Sequence, residues 1–162
     1  MTKSLGVILV VLTLGCMVFA ANPDFSGNWA LNKDKSNYRM GRDGGATPDI
    51  NMTVAQTAEA ISVKQQVTTE RGTRDSEYTL KTNGEEQEIP GFMGRTSKAT
   101  AKWEGSVLVV DTVSQFEREG EQITIKSNER WELSADGKTL TIAGKSSTPM
   151  GDRETSRVFE KK

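Results

Sequence analysis

The sequence predicts an all-β chain, a single antiparallel up-and-down β-barrel of about eight to ten strands preceded by a signal peptide. Three observations lead there. Apolar residues recur at every second position, not at the 3.6 spacing of a helix. Turn residues cut these runs into short lengths, so that neighbours in sequence can pair as hairpins. The first stretch of the 162-residue chain is different in kind from the rest.

That first stretch sets the domain organisation. Lys3 precedes an uncharged, largely apolar run from Leu5 to Ala20. The run is short for a membrane span, which needs about 20 apolar residues, and it suits the apolar region of a secretory signal. Val18 and Ala20 place small side chains three and one positions before a cut, so cleavage after Ala20 is expected, leaving a domain over residues 21–162. An uncleaved anchor is one alternative. Another is a lipoprotein acylated at Cys16, although Thr13 and Leu14 suit that processing poorly. The expected location is secreted or periplasmic, with no stable membrane span after cleavage.

Alternation runs through the rest of the chain. Met52 with Val54, Ile61 with Val63 and Val67, Tyr78 with Leu80, and Ala99 with Ala101 and Trp103 all fit it. Leu108 with Val110, Ile123 with Ile125, Trp131 with Leu133, and Leu140 with Ile142 continue the series. One apolar and one polar face is the pattern of an antiparallel sheet with a wet side. Thr57 to Gln66 admits a helical reading, but its apolar residues fit alternation at least as well. Turns are expected at Asn83-Gly84, Glu104-Gly105, Glu119-Gly120 and Asp136-Gly137. Pro23, Pro48, Pro90 and Pro149 fall between runs, where a missing N–H does no harm. Two longer polar loops are expected, at Lys33–Asp49 and Glu85–Arg95. Closing such a meander on itself removes the exposed sheet edges.

Composition excludes much chemistry. The chain has no histidine, and its single cysteine lies in the leader. Histidine-based nucleophilic catalysis, thiol catalysis and histidine-bearing metal sites are therefore excluded. No disulfide can staple the domain, so stability must come from a packed core. The net charge is −1 with mixed signs, which gives no basic stripe for nucleic acid. No cofactor and no metal site is expected. Glu85, Glu86 and Glu88 read as a solvated loop, or else as the start of a hard-cation site that needs further ligands. Paired carboxylates remain the one route to an enzyme, and no spacing singles out a pair.

The start of the mature chain is more specific. Asp24-Phe25-Ser26-Gly27-Asn28-Trp29-Ala30-Leu31-Asn32 carries Gly-x-Trp on its first strand and runs into Asn32 through Ser36. Here the sequence resembles the lipocalin, or calycin, barrels, and especially small secreted bacterial lipocalin-like domains. The resemblance covers the first strand and the overall meander. It implies that Gly27 permits a tight entry and that Trp29 plugs the closed end of the barrel. It also implies a late arginine stacked over the Trp29 ring, with Arg157 the positional match and Arg130 the second candidate. The Thr-Asp-Tyr motif of larger lipocalins is absent, as is room for their helix before the last strand. Ligand class is not implied.

Candidate ligand contacts are Tyr78, Phe92, Met93, Trp103 and Trp131. Trp103, Trp131 and Tyr78 either fill the core or line a cavity. Phe92 and Met93, flanked by Gly91 and Gly94, either cover the barrel mouth or tuck inward. The expected function is an exported, non-enzymatic binding protein for a small, hydrophobic ligand. The alternatives are an envelope structural or protein-interaction domain with a filled barrel and, third, a carboxylate-based enzyme.

Overall fold

A computed structural model describes residues 22–39, 45–91, 95–118, 120–149 and 151–162. The leader, with Cys16 and the expected cleavage point, and the Phe92-Met93 pair lie outside the described residues. Ten strands form one antiparallel sheet: β1 (Gly27–Leu31), β2 (Asp49–Gln56), β3 (Ala60–Thr69), β4 (Gly72–Lys81), β5 (Gln87–Pro90), β6 (Thr96–Glu104), β7 (Val107–Arg118), β8 (Glu121–Leu133), β9 (Thr139–Thr148) and β10 (Gly151–Lys161). The described residues contain no helix. Thr57–Gln66 is a tight turn followed by most of β3, in keeping with its alternation.

The sheet order is β4-β3-β2-β1-β10-β9-β8-β7-β6-β5. Every neighbour in this order is also a neighbour in sequence, except where β1 pairs with β10. That pairing joins the two ends of the chain and wraps the meander into a barrel. β4 and β5 form the remaining seam. Gln87 spans it with its side chain, accepting from the Lys81 backbone N–H at 2.9 Å and donating to the Lys81 carbonyl at 3.0 Å. One amide side chain thus supplies the two hydrogen bonds that a paired strand residue would make. Below it, the Gly84 N–H donates to the Ala101 carbonyl at 2.9 Å, so the ends of the sheet stay together.

Directly paired residues of antiparallel strands share a face, and alternate residues point the same way. Following the register from Trp29, the inward set includes Met52, Gln65, Ser76, Phe159, Leu140, Trp131 and Leu108. The closed end of the barrel is dry. Phe25, Trp29, Ile61, Val63, Leu80, Ala101, Leu108, Leu140 and Phe159 are each 0–1 % exposed. The Trp29 indole N–H donates to the Phe25 carbonyl at 2.9 Å, which satisfies its one polar atom inside the core. Phe25 packs on Trp103 with ring centres 5.4 Å apart and on Trp131 at 6.1 Å, both tilted. Gln56 clamps the segment crossing this end. Its side chain accepts from Phe25 N–H and donates to the Pro23 carbonyl.

Turns follow from residue chemistry, with two departures. β5 (Gln87–Pro90) falls inside the expected Glu85–Arg95 loop, with Pro90 as its last residue, and one hairpin turn is shifted. Glu119 of the expected Glu119-Gly120 turn lies outside the described residues. The β6–β7 loop is Gly105-Ser106, because Glu104 pairs with Val107. Glu104 therefore stays in the strand, one place further than the Glu104-Gly105 expectation, and forms ion pairs with Lys102 and Arg130. Gly105 takes the left-handed φ of +62° that the turn demands. Two turns at the opposite, open end share a device. Thr69 donates its hydroxyl to the Gly72 carbonyl, and Thr148 does the same to Gly151.

Truncating Trp29 to alanine removes the largest side chain from the dry end, and the cost should be about 3–5 kcal/mol in denaturant unfolding. A loss below about 1 kcal/mol would contradict its place in the core. Changing Gln87 to alanine should speed hydrogen exchange at the Lys81 amide and leave β8 and β9 amides unaffected. Equal protection in both proteins would show that the seam does not need this side chain.

Candidate functional site

The open half of the barrel has a different interior from the closed half. Val67, Ile89, Phe116, Ile123 and Ile125 all occupy inward register positions there. All five remain partly accessible, whereas at the closed end most of the inward apolar side chains are almost completely buried, Trp103 and Leu133 being the partly buried ones. Ser97, Thr112, Ser114, Ser127, Ser146 and Thr155 share this wall. Ser97 and Ser114 satisfy each other through a 2.7 Å hydroxyl pair. The chain's own side chains fill one end of the barrel. At the other, partly accessible apolar and hydroxyl side chains face inward together.

A polar cluster marks the boundary between the two halves. Arg157 on β10 lies two residues before Phe159 and therefore also points inward. Its side chain is 13 % exposed. The guanidinium donates from Nη2 to Oε1 of Glu129 on β8 and sits 5.4 Å over the Tyr38 ring. The other carboxylate oxygen of Glu129 accepts from the Trp131 indole N–H at 3.2 Å. Both oxygens of Glu129 are thus tied to the wall. Gly144 pairs with Glu129 on the neighbouring strand and contributes no side chain. A Cβ there would come within 2.8 Å of the Thr155 hydroxyl, so glycine keeps the space beside Glu129 clear.

Two groups of this cluster, Arg157 and Tyr78, are held in fixed charge states. Burial is the largest influence on Arg157 and acts against its charge, but Glu129 and the neighbouring tyrosines outweigh it and leave the guanidinium more firmly protonated than usual. Tyr78 faces the same space from β4. Burial pushes its phenol well above the ordinary value of 10.0, the Glu129 carboxylate adds to this, and Arg157 opposes it. Tyr78 is therefore a neutral hydroxyl at any ordinary pH. Nε of Arg157 is buried with no hydrogen-bond partner.

The structure places the expected residues as follows. Tyr78 and Trp131 both come to Glu129, one as a phenol withdrawn from water and one as a donor. Trp103 stands apart from them, stacked on Phe25 at the closed end. Gly27 and Trp29 lie at that end as well, and the cation over the Trp29 ring is Lys161, at 5.4 Å. Arg157, expected over that ring, lies four residues earlier on β10 and turns to Glu129. The reason is register: Trp29 pairs directly with Lys161. Arg130 faces outward to Glu104. Gly27 lies so close to Lys161 that a Cβ would meet its Cε at 2.7 Å, and its φ of +137° suits glycine. Glu129 and Tyr38 were missed by sequence reasoning. Glu129 shares the alternation of Trp131 and Leu133, and that phase alone places an acid inside.

Outside the barrel, a hollow of about 730 Å³ crosses the polar faces of β1 to β4, and another of about 360 Å³ crosses β7 to β10. Both are open troughs lined by Asn, Lys, Ser and acidic side chains. The Glu86 carboxylate pairs with Lys98 and Glu85 accepts from Asn83, and no group of three acidic side chains fit for a metal ion stands among the described residues.

Truncating Arg157 to methionine should cost about 3 kcal/mol, because it strands the Glu129 carboxylate inside the barrel. Adding Glu129→Leu to that variant should recover part of the loss in urea unfolding. A double variant less stable than Arg157→Met would contradict the pairing. The raised pKa of Tyr78 also fixes a pH dependence. Below pH 10 the phenol is neutral in folded and unfolded chains alike. Above it the unfolded chain loses the proton first, so stability falls as pH rises, by up to about 1.4 kcal/mol per unit. Alkaline unfolding of Tyr78→Phe should lack this component, and identical profiles for the two proteins would refute the burial of the Tyr78 phenol.

No protein-family model matches the sequence, and no curated protein matches it. Solved structures do match the fold. Zebrafish ileal bile acid-binding protein complexed with cholic acid superposes with a TM-score of 0.61 at 17 % identity, over 85 % of this chain and 98 % of that one. The REP1-NXSQ fatty acid transporter matches with a TM-score of 0.53 at 16 % identity, over 85 % and 96 %. A tyrosine-to-phenylalanine mutant of that transporter matches with the same TM-score of 0.53 at 19 % identity, over 85 % and 98 %. With a nearly closed antiparallel barrel of ten strands and these structures as its likeness, the chain has the lipocalin-like fold of the calycins.

Proposed function

We propose that this protein binds a small hydrophobic ligand in the open half of its barrel and carries it outside the cytoplasm without transforming it. The observation that carries the reading is the contrast within one interior. At the closed end most inward-facing apolar side chains are sealed, whereas at the open end Val67, Ile89, Phe116, Ile123 and Ile125 stay partly accessible beside a buried Ile50. An accessible apolar wall inside a barrel is a surface that a ligand can dry. The named occupants of the similar structures support the reading: cholic acid in one, and fatty acid as the cargo of another.

A binding role also agrees with the polar groups present. Glu129 is held on both oxygens by Arg157 and Trp131, which leaves it poorly placed as a general acid or base. The other inward-facing carboxylate position among the described residues is Glu121, at the exposed rim, eight positions away on the same strand. Export rests on the apolar run from Leu5 to Ala20 and its small residues before the expected cut. The outer troughs support a second partner less well, since they carry no aromatic or apolar anchor apart from Trp29 and Met52, which are buried.

A fluorescent fatty-acyl probe should bind saturably to the mature chain and quench tryptophan emission. Replacing Ile125 with glutamate, on the open wall, should weaken binding about tenfold or more, since a charge would then face the dried ligand. Absence of saturable binding across alcohols, acids, esters and sterols would overturn the reading. Fractionation of the native host should find the chain outside the cytoplasm and shortened at residue 20.

A further inference from the structure

We propose that Glu129 selects the charge of the ligand: the site takes an amphiphile with an uncharged, oxygen-bearing head and disfavours a free carboxylate. The inference deepens the ligand-binding reading and rests on it. Its starting point is the neutral balance of the cluster. Arg157 is the interior cation at the boundary of the apolar end, and its charge is already matched by Glu129. A ligand carboxylate entering the same space would meet two carboxylates for one guanidinium. In a partly dehydrated interior that like-charge contact opposes binding. Glu129 has no easy retreat, because the Trp131 indole N–H holds its second oxygen.

What the cluster still lacks is an acceptor. Arg157 Nε is a buried donor without a partner, and such a group is costly to leave unmet. A hydroxyl, ester, amide or ketone oxygen from a ligand meets that need and brings no charge. The Tyr78 phenol, held neutral beside the same pair, offers a second neutral hydrogen-bonding group. Arg74 and Arg153 also occupy inward register positions and Arg95 lies 4.8 Å over the Phe116 ring, but all three are exposed at the mouth. A carboxylate gains little from them in open water. The selective contact therefore lies at Glu129, with Arg157 and Tyr78 as the groups that meet the head.

The test compares two ligands with one tail, oleyl alcohol and oleic acid, near neutral pH. Each competes with an uncharged fluorescent probe for the full mature chain. The alcohol should bind at least about tenfold more tightly than the acid. Glu129→Gln leaves the cluster with a net positive charge, and it should narrow or reverse that ratio by about tenfold in favour of the acid. Should Glu129→Gln fail to fold, the ratio in the unaltered protein decides alone. Oleic acid binding as tightly as the alcohol, or an unchanged ratio in a folded Glu129→Gln protein, overturns the proposal while leaving a ligand-binding barrel intact. If no lipid displaces the probe and the probe itself does not bind, the ligand-binding reading falls, and this one with it.

Discussion

The structure depends on the pairing of β1 with β10 around Trp29. Among the described strands this is the one pairing between elements distant in sequence, and without it β1–β4 and β5–β10 would be two separate sheets meeting only at the Gln87 seam. Trp29 rewards that closure. Its indole is fully buried, its N–H is met by Phe25, and its ring carries Lys161 from the strand that completes the wrap. Burying an aromatic ring of this size is among the larger local gains in the core, shared with Trp131. The gain is realised only when both chain ends arrive together.

A second constraint shapes the other half. The interior of the barrel is treated unevenly along its length. At one end Phe25, Trp131 and Phe159 close the interior. Above them an ion pair and two tyrosines sit where apolar packing would be more stabilising. A buried ion pair is weak evidence for stability, because desolvation offsets most of the attraction. On the proposed ligand-binding reading, the pair beside an accessible apolar wall serves recognition and not stability. Glycine at position 144, which leaves room beside Glu129, agrees with that view.

The seam between β4 and β5 shows how the barrel manages its edges. β5 has only four residues and ends at Pro90, so it offers few free backbone groups. β4 is longer but carries Arg74, Asp75, Glu77 and Lys81, charges that discourage pairing with another chain. Gln87 then replaces missing ladder bonds with a side chain. Ser36 plays a related part where the chain leaves β1. Its hydroxyl accepts from the Val158 N–H and donates to the Asn32 carbonyl, which extends the contact with β10 beyond the strand. This gives a structural purpose to the serine that follows the opening Gly-x-Trp strand.

The all-β class, the meander, and the face of most strands that turns inward are legible in the order of residues alone. Each of these rests on a period of two or on a turn residue, both local properties. Alternation even held the information that Glu129 shares the face of Trp131, and that Arg157 shares the face of Phe159. The tertiary structure alone decided which inward residues meet. Arg157 and Glu129 are 28 residues apart and join only through the registers of β8, β9 and β10. The cation over Trp29 is Lys161 because β1 and β10 pair at that register, and no local pattern specifies an offset between the two ends of a chain. Hydrophobic period sets a side chain's direction, but its partner across a closed sheet depends on every register in between.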